Sequence, residues 1–327
     1  MLGLGIESTA HTFSCAIIEK KGKKGKILSD IRKIYRPAEG EGIHPREASR
    51  HHIENSSSVL SECLIEANTT IKDLDLISYA AGPGLGPCLR VGAVVARSLA
   101  SFYKIPIYPV NHAIGHIELG KLLTGATNPL VLLVSGGHTM LLAFINKQWR
   151  VFGETLDITL GQLLDQFGRS IGFASPCGKS IEELASTSSN YIMLPYSVKG
   201  NDVSFSGLLS ATKSILKQSK VDACYSLQET AFAMISEVVE RALSFTCKKE
   251  LMIVGGVAAN KRLSEMLQAV CKRHRCKFFT VPIQYAGDCG SQICWTGLLE
   301  SQVKQGALLK DTLVIQSWRL DSVKVDY

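Results

Sequence analysis

GIESTAHT, Gly5 to Thr12, and LVSGGHTML, Leu133 to Leu142, decide the fold. Each is a turn of small and hydroxyl-bearing residues between two apolar, strand-like runs. Leu2–Ile6 and Phe13–Ile18 flank the first, and Leu130–Val134 and Met140–Ile145 flank the second. A third strand follows each hairpin, at Ile27–Tyr35 and at Trp149–Phe152. Beyond the first trio the pattern alternates. A helix over 45–67 places Ile53, Leu60, Leu64 and Ala67 on one face, and strand 76–81, helix 89–103 and strand 107–110 follow. Beyond the second trio come helices near 158–171 and 181–186, then a long helix from about 226 to 247. The long helix carries Leu227, Ala231, Met234, Val238, Ala242 and Phe245 at helical spacing. A buried strand, 251–254, and a helix bearing Leu263, Met266, Leu267 and Val270 complete the series. Two rounds of three strands followed by alternation imply two similar α/β lobes. Sequence self-similarity is faint, so the duplication rests on element order. A Gly-, Thr-, Asn- and Pro-bearing stretch near 120–129 divides the chain into lobes of 1–125 and 126–327. The first lobe would be completed by the C-terminal helix region, and the second would carry a helical insertion. A ligand is expected in the cleft between lobes.

Composition sets the outer limits. The 327 residues are 46% hydrophobic and 20% charged, enough for a substantial core. The N-terminus lacks a basic segment followed by an apolar stretch, and no apolar run approaches the roughly 20 residues that span a bilayer. A soluble, cytoplasmic chain without membrane contact is expected. Ten cysteines occur without a CxxC pair, mostly inside apolar patterns, which reads as free thiols packed as small hydrophobes. A formal charge of +7 permits an anionic partner such as nucleic acid. The basic run from Glu19 to Lys26 reads as a solvated hairpin tip, and the cluster at 272–277 as cations at a helix end.

Three glycine-bearing loops stand at strand ends: the two hairpin turns and GGVAANKRL, Gly255 to Leu263. Gly-Gly turns let backbone N–H groups approach an anion, and Ser8, Thr9, Ser135 and Thr139 could add hydroxyls. Each loop taken alone is equally an ordinary tight turn, and Asn260 is equally a helix N-cap. GxGxxG after the first strand and GxxxxGK[ST] are both absent, so simple Rossmann and P-loop enzymes fit worse. NHAIGHIE, Asn111 to Glu118, sets His112 and His116 four apart, on one face of a helix. The pair leaves two readings open, a shared cation or two histidines that pack or cap. A zinc protease helix would need a glutamate where Ala113 stands. Asp288, between glycines in QYAGDCGSQICWTG, is either a third ligand or a helix cap.

Together these segments closely resemble the TsaD/KEOPS catalytic-subunit family of tRNA threonylcarbamoyladenosine transferases, in its archaeal and eukaryotic form. The resemblance runs from about Leu2 to Gly297. It rests on GIESTAHT, HPREASRHH, GPGLGPCLRVG, NHAIGHIE, VSGGHT, ETLDITLGQLLDQFGR, SFSGL, GGVAANKRL and GDCG. It implies a two-lobed actin/Hsp70/sugar-kinase-like fold with nucleotide and metal in the interlobe cleft. It further implies that His112, His116 and Asp288 hold one divalent metal: iron, zinc or magnesium. Leu133, Val134, Ser135, Gly136 and Gly137 would lie along the phosphate and acyl portion of threonylcarbamoyl-AMP or ATP. Ser8, Thr9 and His138 would add phosphate-loop contacts, and Asp165, Gly178, Glu182 and Asn260 would grip ribose and adenine. Leu133 stands where the family often has a metal-coordinating tyrosine, so water or the acyl-nucleotide would complete the coordination. His138 and Cys289 each replace a usual asparagine. The implied reaction moves the threonylcarbamoyl group to the exocyclic amine of the adenosine beside the anticodon in tRNAs reading ANN codons. No side-chain nucleophile is required. The implied partners are tRNA and KEOPS subunits, including a small atypical protein kinase and a dimerising subunit. Three rivals remain: an ATP-binding scaffold, a sugar-kinase-like phosphotransferase and, against the chemistry of Ala113, a metalloprotease.

Overall fold

β1 (Leu2–Glu7) presents two unlike faces. Leu4 and Ile6 enter a core with Phe13, Cys15 and Ile17 of β2 (Thr12–Lys21), whereas Gly3 and Gly5 leave the opposite face bare. β2 pairs antiparallel with β1, and β3 (Lys24–Ile34) pairs antiparallel with β2, around a turn where Gly22 has φ +58°. α1 (Pro45–Glu66) follows, then β4 (Leu76–Gly82), α2 (Gly86–Tyr103), β5 (Ile107–Asn111) and α3 (His112–Thr124). β4 runs parallel to β1, and β5 parallel to β4, giving the order β3-β2-β1-β4-β5. Val59 and Cys63 of α1 and Ala93, Ala96 and Ala100 of α2 close the apolar face. The helix Gly290–Glu300 crosses the bare face. A Cβ added to Gly5 would lie 2.3 Å from both the Cys294 nitrogen and the Gly290 carbonyl oxygen.

A second five-stranded sheet repeats this path. β6 (Leu130–Val134), β7 (Thr139–Ile145) and β8 (Gln148–Glu154) form an antiparallel meander. Next come α4 (Leu160–Ser170), α5 (Gly178–Ala185), the short ribbon β9 (Val198–Lys199) and β10 (Asp202–Val203), α6 (Ser206–Ile215) and α7 (Lys220–Thr246). β11 (Glu250–Val254) then pairs parallel with β6, and after α8 (Lys261–Arg273) β12 (Lys277–Thr280) pairs parallel with β11. The resulting order is β12-β11-β6-β7-β8. Counted from its own first strand, each sheet reads third, second, first, fourth, fifth. Its core joins Leu130, Leu132 and Val134 to Leu160, Phe167, Ala231 and Ile235.

This computed structural model describes residues 1–38 and 40–327. Contacts divide it into two compact units, Met1–Arg36 with Ile43–Leu123 and Asp288–Tyr327, and Pro37–Gly42 with Thr124–Gly287. The second unit therefore stops at Gly287, where the sequence-based division carried it to residue 327. The C-terminal segment returns because Gly3, Gly5 and Gly297 give its helix seats on β1 and beside Ser78. All ten cysteines are free. Among the described residues no helix is long and apolar enough to cross a membrane.

Four local details depart from expectation. On α1 the expected Leu60, Leu64 and Ala67 pack against the core beside buried Ala48, His52, Val59 and Cys63, but Ile53 is 63% exposed. Its neighbour His52 turns inward instead, with a 3.0 Å hydrogen bond to the Ala10 carbonyl. α7 starts at Lys220 rather than near 226, because the Ser219 side chain accepts the Asp222 N–H and caps it. Phe245, near its end, is 77% exposed and rests its ring on Phe152. The basic β2–β3 tip also keeps one lysine in: Lys20 is buried over the Trp295 ring and donates to the Gly22 carbonyl.

Gly5→Ala should cost about 3 kcal/mol of stability in urea unfolding, because the new methyl meets backbone that cannot yield. An unshifted midpoint would contradict this seating.

Candidate metal and nucleotide sites

His112 opens α3 directly from the end of β5. The side-chain oxygen of Asn111 accepts the N–H groups of Ala113 (3.0 Å) and Ile114 (3.2 Å), capping the helix. Helical spacing then sets the His112 and His116 rings 4.8 Å apart in an edge-on arrangement. Gly115, on the intervening turn, lets α3 approach Gln292, whose Cγ would lie 3.2 Å from an added Cβ.

Asp288 does not cap the helix that follows it, and its carboxylate turns toward the two imidazoles. The first N–H groups of the helix Gly290–Glu300 go elsewhere. Gly290 donates to Ser14 Oγ (2.8 Å) and Ser291 to Asp30 Oδ2 (3.1 Å). Asp288 Oδ1 instead lies 3.5 Å from His112 Nε2 and 3.3 Å from His116 Nε2. The three donor atoms fall within 4.8 Å of one another, all in the first unit.

The donor set fits a divalent cation. Bonds of about 2.1 Å at the tetrahedral angle separate neighbouring ligand atoms by about 3.4 Å, matching both observed distances. His116 Nε2 is buried and, among the described residues, has no hydrogen-bond partner despite its closeness to Asp288. A neutral imidazole nitrogen in that position has a lone pair to offer a metal. Two imidazoles and one carboxylate suit zinc or ferrous iron, and three protein ligands leave coordination open for a substrate.

Electrostatics support the same view. Burial works against charge on His112, but the carboxylates of Glu7 and Asp288 outweigh it and lift its pKa to about 9. Burial pushes His116 down, toward the neutral form. Asp288 is also desolvated, yet the two imidazoles hold its carboxyl well below the usual range.

Glu7, which the sequence reading passed over, is fully buried. Its Oε2 lies 2.8 Å from His112 Nδ1, and its Oε1 accepts both the N–H (2.6 Å) and the hydroxyl of Thr9. The available signal was a lone carboxylate on an otherwise apolar strand. Thr9 is thus committed to Glu7. Ser8, expected at a phosphate, is fully buried and faces α2, where an added Gly92 Cβ would meet its Oγ at 2.3 Å.

Apart from Ser8 and Thr9, the nucleotide candidates lie in the second unit. Gly255, at φ +95°, passes so close to β6 that a Cβ would meet the Val134 carbonyl at 2.3 Å. Gly161 likewise packs α4 on the Ser135–Gly136 backbone, at 2.6 Å and 2.7 Å. The Thr159 hydroxyl donates to the Gly136 carbonyl. Within the turn, Ser135 Oγ accepts the N–H groups of Gly137 (3.2 Å) and His138 (3.0 Å). Gly136 and Gly256 have nothing within 4 Å of an added Cβ. Asp165 accepts the Cys177 N–H (2.7 Å), beside Gly178, and Glu182 accepts the Lys261 N–H (2.7 Å). Asn260 caps α8 through the Leu263 N–H (3.0 Å) and donates to Gln228 (3.1 Å). Leu133 is a wholly buried strand residue and offers no donor atom.

Residues 26–295 match the family described as TsaD, tRNA N6-adenosine threonylcarbamoyltransferase. A relative from Staphylothermus marinus bearing that same description is 46% identical over 99% of this chain and 99% of its own length. A Methanothermobacter thermautotrophicus relative, described as a probable bifunctional tRNA threonylcarbamoyladenosine biosynthesis protein, is 47% identical. That match takes in all of this chain but spans only 61% of the relative. Among solved structures, HypF from T. kodakarensis superposes with a TM-score of 0.64 at 14% identity, over 96% of this chain and 49% of that one. That likeness shows the shared actin/Hsp70/sugar-kinase-type fold.

With His112 lifted to about 9, its proton competes with a cation at neutral pH. The affinity for zinc should therefore rise about tenfold per pH unit between pH 7 and 8.5, then level off above 9. Competition titration against a chelator of known affinity measures this, and a flat profile would count against the assignment.

Proposed function

Because the chain belongs to the family of tRNA N6-adenosine threonylcarbamoyltransferases, transferases of tRNA modification, we propose that it moves a threonylcarbamoyl group from threonylcarbamoyl-AMP to an adenosine. The acceptor is the exocyclic amine of the adenosine beside the anticodon in tRNAs reading ANN codons. The observation that carries this reading is the convergence of His112, His116 and Asp288.

The donor is a mixed anhydride and brings its own leaving group. The adenosine N6 attacks the carbamoyl carbon, a C–N bond forms, the C–O bond to phosphate breaks, and AMP departs with loss of one proton from the amine. No serine, cysteine or lysine nucleophile is needed, and the buried thiols fit that. Burial raises Cys177 and Cys224 to about 11, and moves Cys289 and Cys294 well up. A divalent cation at the His112, His116 and Asp288 donors supplies Lewis-acid stabilisation of charge developing on carbonyl and phosphate oxygens.

In the second unit, the Ser135–His138 turn and the Gly255–Asn260 loop hold the nucleotide. Gly136 and Gly256 keep the approach clear of side chains. Asp165 and Glu182 each fix a loop by accepting a backbone N–H, and they grip the ribose from those positions. In the cytoplasm the chain acts as the catalytic subunit of a KEOPS-type complex, with a small atypical protein kinase and a dimerising subunit. A relative named as bifunctional supports a second activity working beside this one.

The deciding experiment is reconstitution with a threonylcarbamoyl-AMP source, partner subunits, labelled threonine, a zinc or ferrous salt and tRNA, read by nucleoside analysis. His112→Ala and Asp288→Ala should each lower transfer by at least about 10²-fold while circular dichroism stays unchanged. Wild-type protein that binds nucleotide yet leaves tRNA unmodified would overturn the enzymatic reading in favour of a scaffold. Gly136→Val should weaken nucleotide binding at least tenfold without lowering the melting temperature, because its side chain meets open space in the protein. Unchanged nucleotide affinity would remove the turn from the site.

A further inference from the structure

We propose that Glu7 is the positioning residue that fixes the His112 ring so that Nε2, and not Nδ1, faces the cation. The inference rests on the metal-site reading above. His112 presents its two nitrogens to different carboxylates: Nε2 lies 3.5 Å from Asp288 Oδ1, and Nδ1 lies 2.8 Å from Glu7 Oε2. A neutral imidazole carries one proton, so whichever nitrogen donates determines which one ligates. A buried carboxylate oxygen at 2.8 Å only accepts, which puts the proton on Nδ1 and leaves the Nε2 lone pair for the metal.

Glu7 can do this because it cannot swing. Its second oxygen is held from one side by both the N–H and the hydroxyl of Thr9, on the turn immediately following β1. Its side chain leaves β1 on the same face as Gly3 and Gly5, where the helix Gly290–Glu300 lies, so it needs no rearrangement to meet α3. Two other groups approach His112 Nδ1, the Gln292 amide nitrogen at 3.1 Å and the Thr9 hydroxyl at 3.4 Å. The amide nitrogen is a donor like the Nδ1 proton itself, and it can be satisfied at the His112 carbonyl oxygen, 3.5 Å away. The shorter, charge-assisted contact to Glu7 decides the tautomer.

Glu7→Gln keeps the size and the oxygen that Thr9 grips, and it turns an amide NH2 toward Nδ1. That favours the opposite tautomer, with a proton on Nε2 where the cation should sit. Cobalt(II) binding, followed by visible absorption and by competition with a chelator at fixed pH 7.5, should weaken about 10- to 100-fold. A role confined to packing would lower the melting temperature without touching that affinity. Affinity within about threefold of wild type in a folded variant would overturn the proposal. The wild-type protein supplies an independent measurement whether or not the variant folds. In the zinc-loaded chain, long-range 1H–15N correlation should show His112 with its proton on Nδ1 in slow exchange and its Nε2 shifted by the metal. Zinc on Nδ1, or a proton on Nε2, would overturn the inference. Metal affinity and tautomer are read without tRNA or acyl donor, so their failure is distinguishable from failure of the proposed reaction.

Discussion

Backbone-to-backbone contact between β1 and the helix Gly290–Glu300 is the constraint on which the first unit depends. A Cβ on Gly5 would overlap the helix backbone at 2.3 Å, and one on Gly290 would lie 2.9 Å from the Gly5 carbonyl oxygen and 2.5 Å from the Ala16 nitrogen of neighbouring β2. Side-chain packing tolerates small adjustments, but backbone at that distance does not. Asp288 stands two residues before Gly290, so the seating of the helix also fixes where its carboxylate begins. Ser14 and Asp30 then take the first N–H groups of that helix, freeing Asp288 from capping.

Around this seat the protein places two carboxyl groups and two imidazoles in a nearly dry environment. Each would be costly alone, and each finds compensation in the others. In the metal-free protein a proton on His112 balances part of the carboxylate charge, while His116 is driven neutral. Replacing that proton by a doubly charged cation lets both imidazoles be neutral ligands beside two carboxylates. The same arrangement therefore suits the cluster to take a cation.

The second unit relies on the same device for another purpose. Gly161 and Gly255 permit close backbone contact, welding the Ser135–Gly136 turn to α4 and the β11–α8 loop to β6. Gly136 and Gly256 do the reverse and leave space where a side chain would stand. Loops held in this way lose little freedom when anything binds to them.

Much of this was legible in the chain itself. Period-two and period-3.6 patterning separated strands from helices, and the order of three strands followed by alternation announced the repeated sheet. NHAIGHIE placed two imidazoles on one helical face because helix geometry alone determines that spacing. Other features depended on contacts far apart in sequence. Patterning turned Ile53 of α1 inward with Leu60, Leu64 and Ala67, whereas His52 takes the inward place beside it through the Ala10 carbonyl. Glu7 was invisible because its partner stands 105 residues away. The capping role that sequence allowed Asp288 falls instead to Ser14 and Asp30, more than 250 residues distant, which accept the first N–H groups of that helix. Local sequence fixes periodicity, capping preference and turn chemistry. Which buried donor meets which acceptor is decided when the last helix packs on the first strand, a long-range event that no window of sequence encodes.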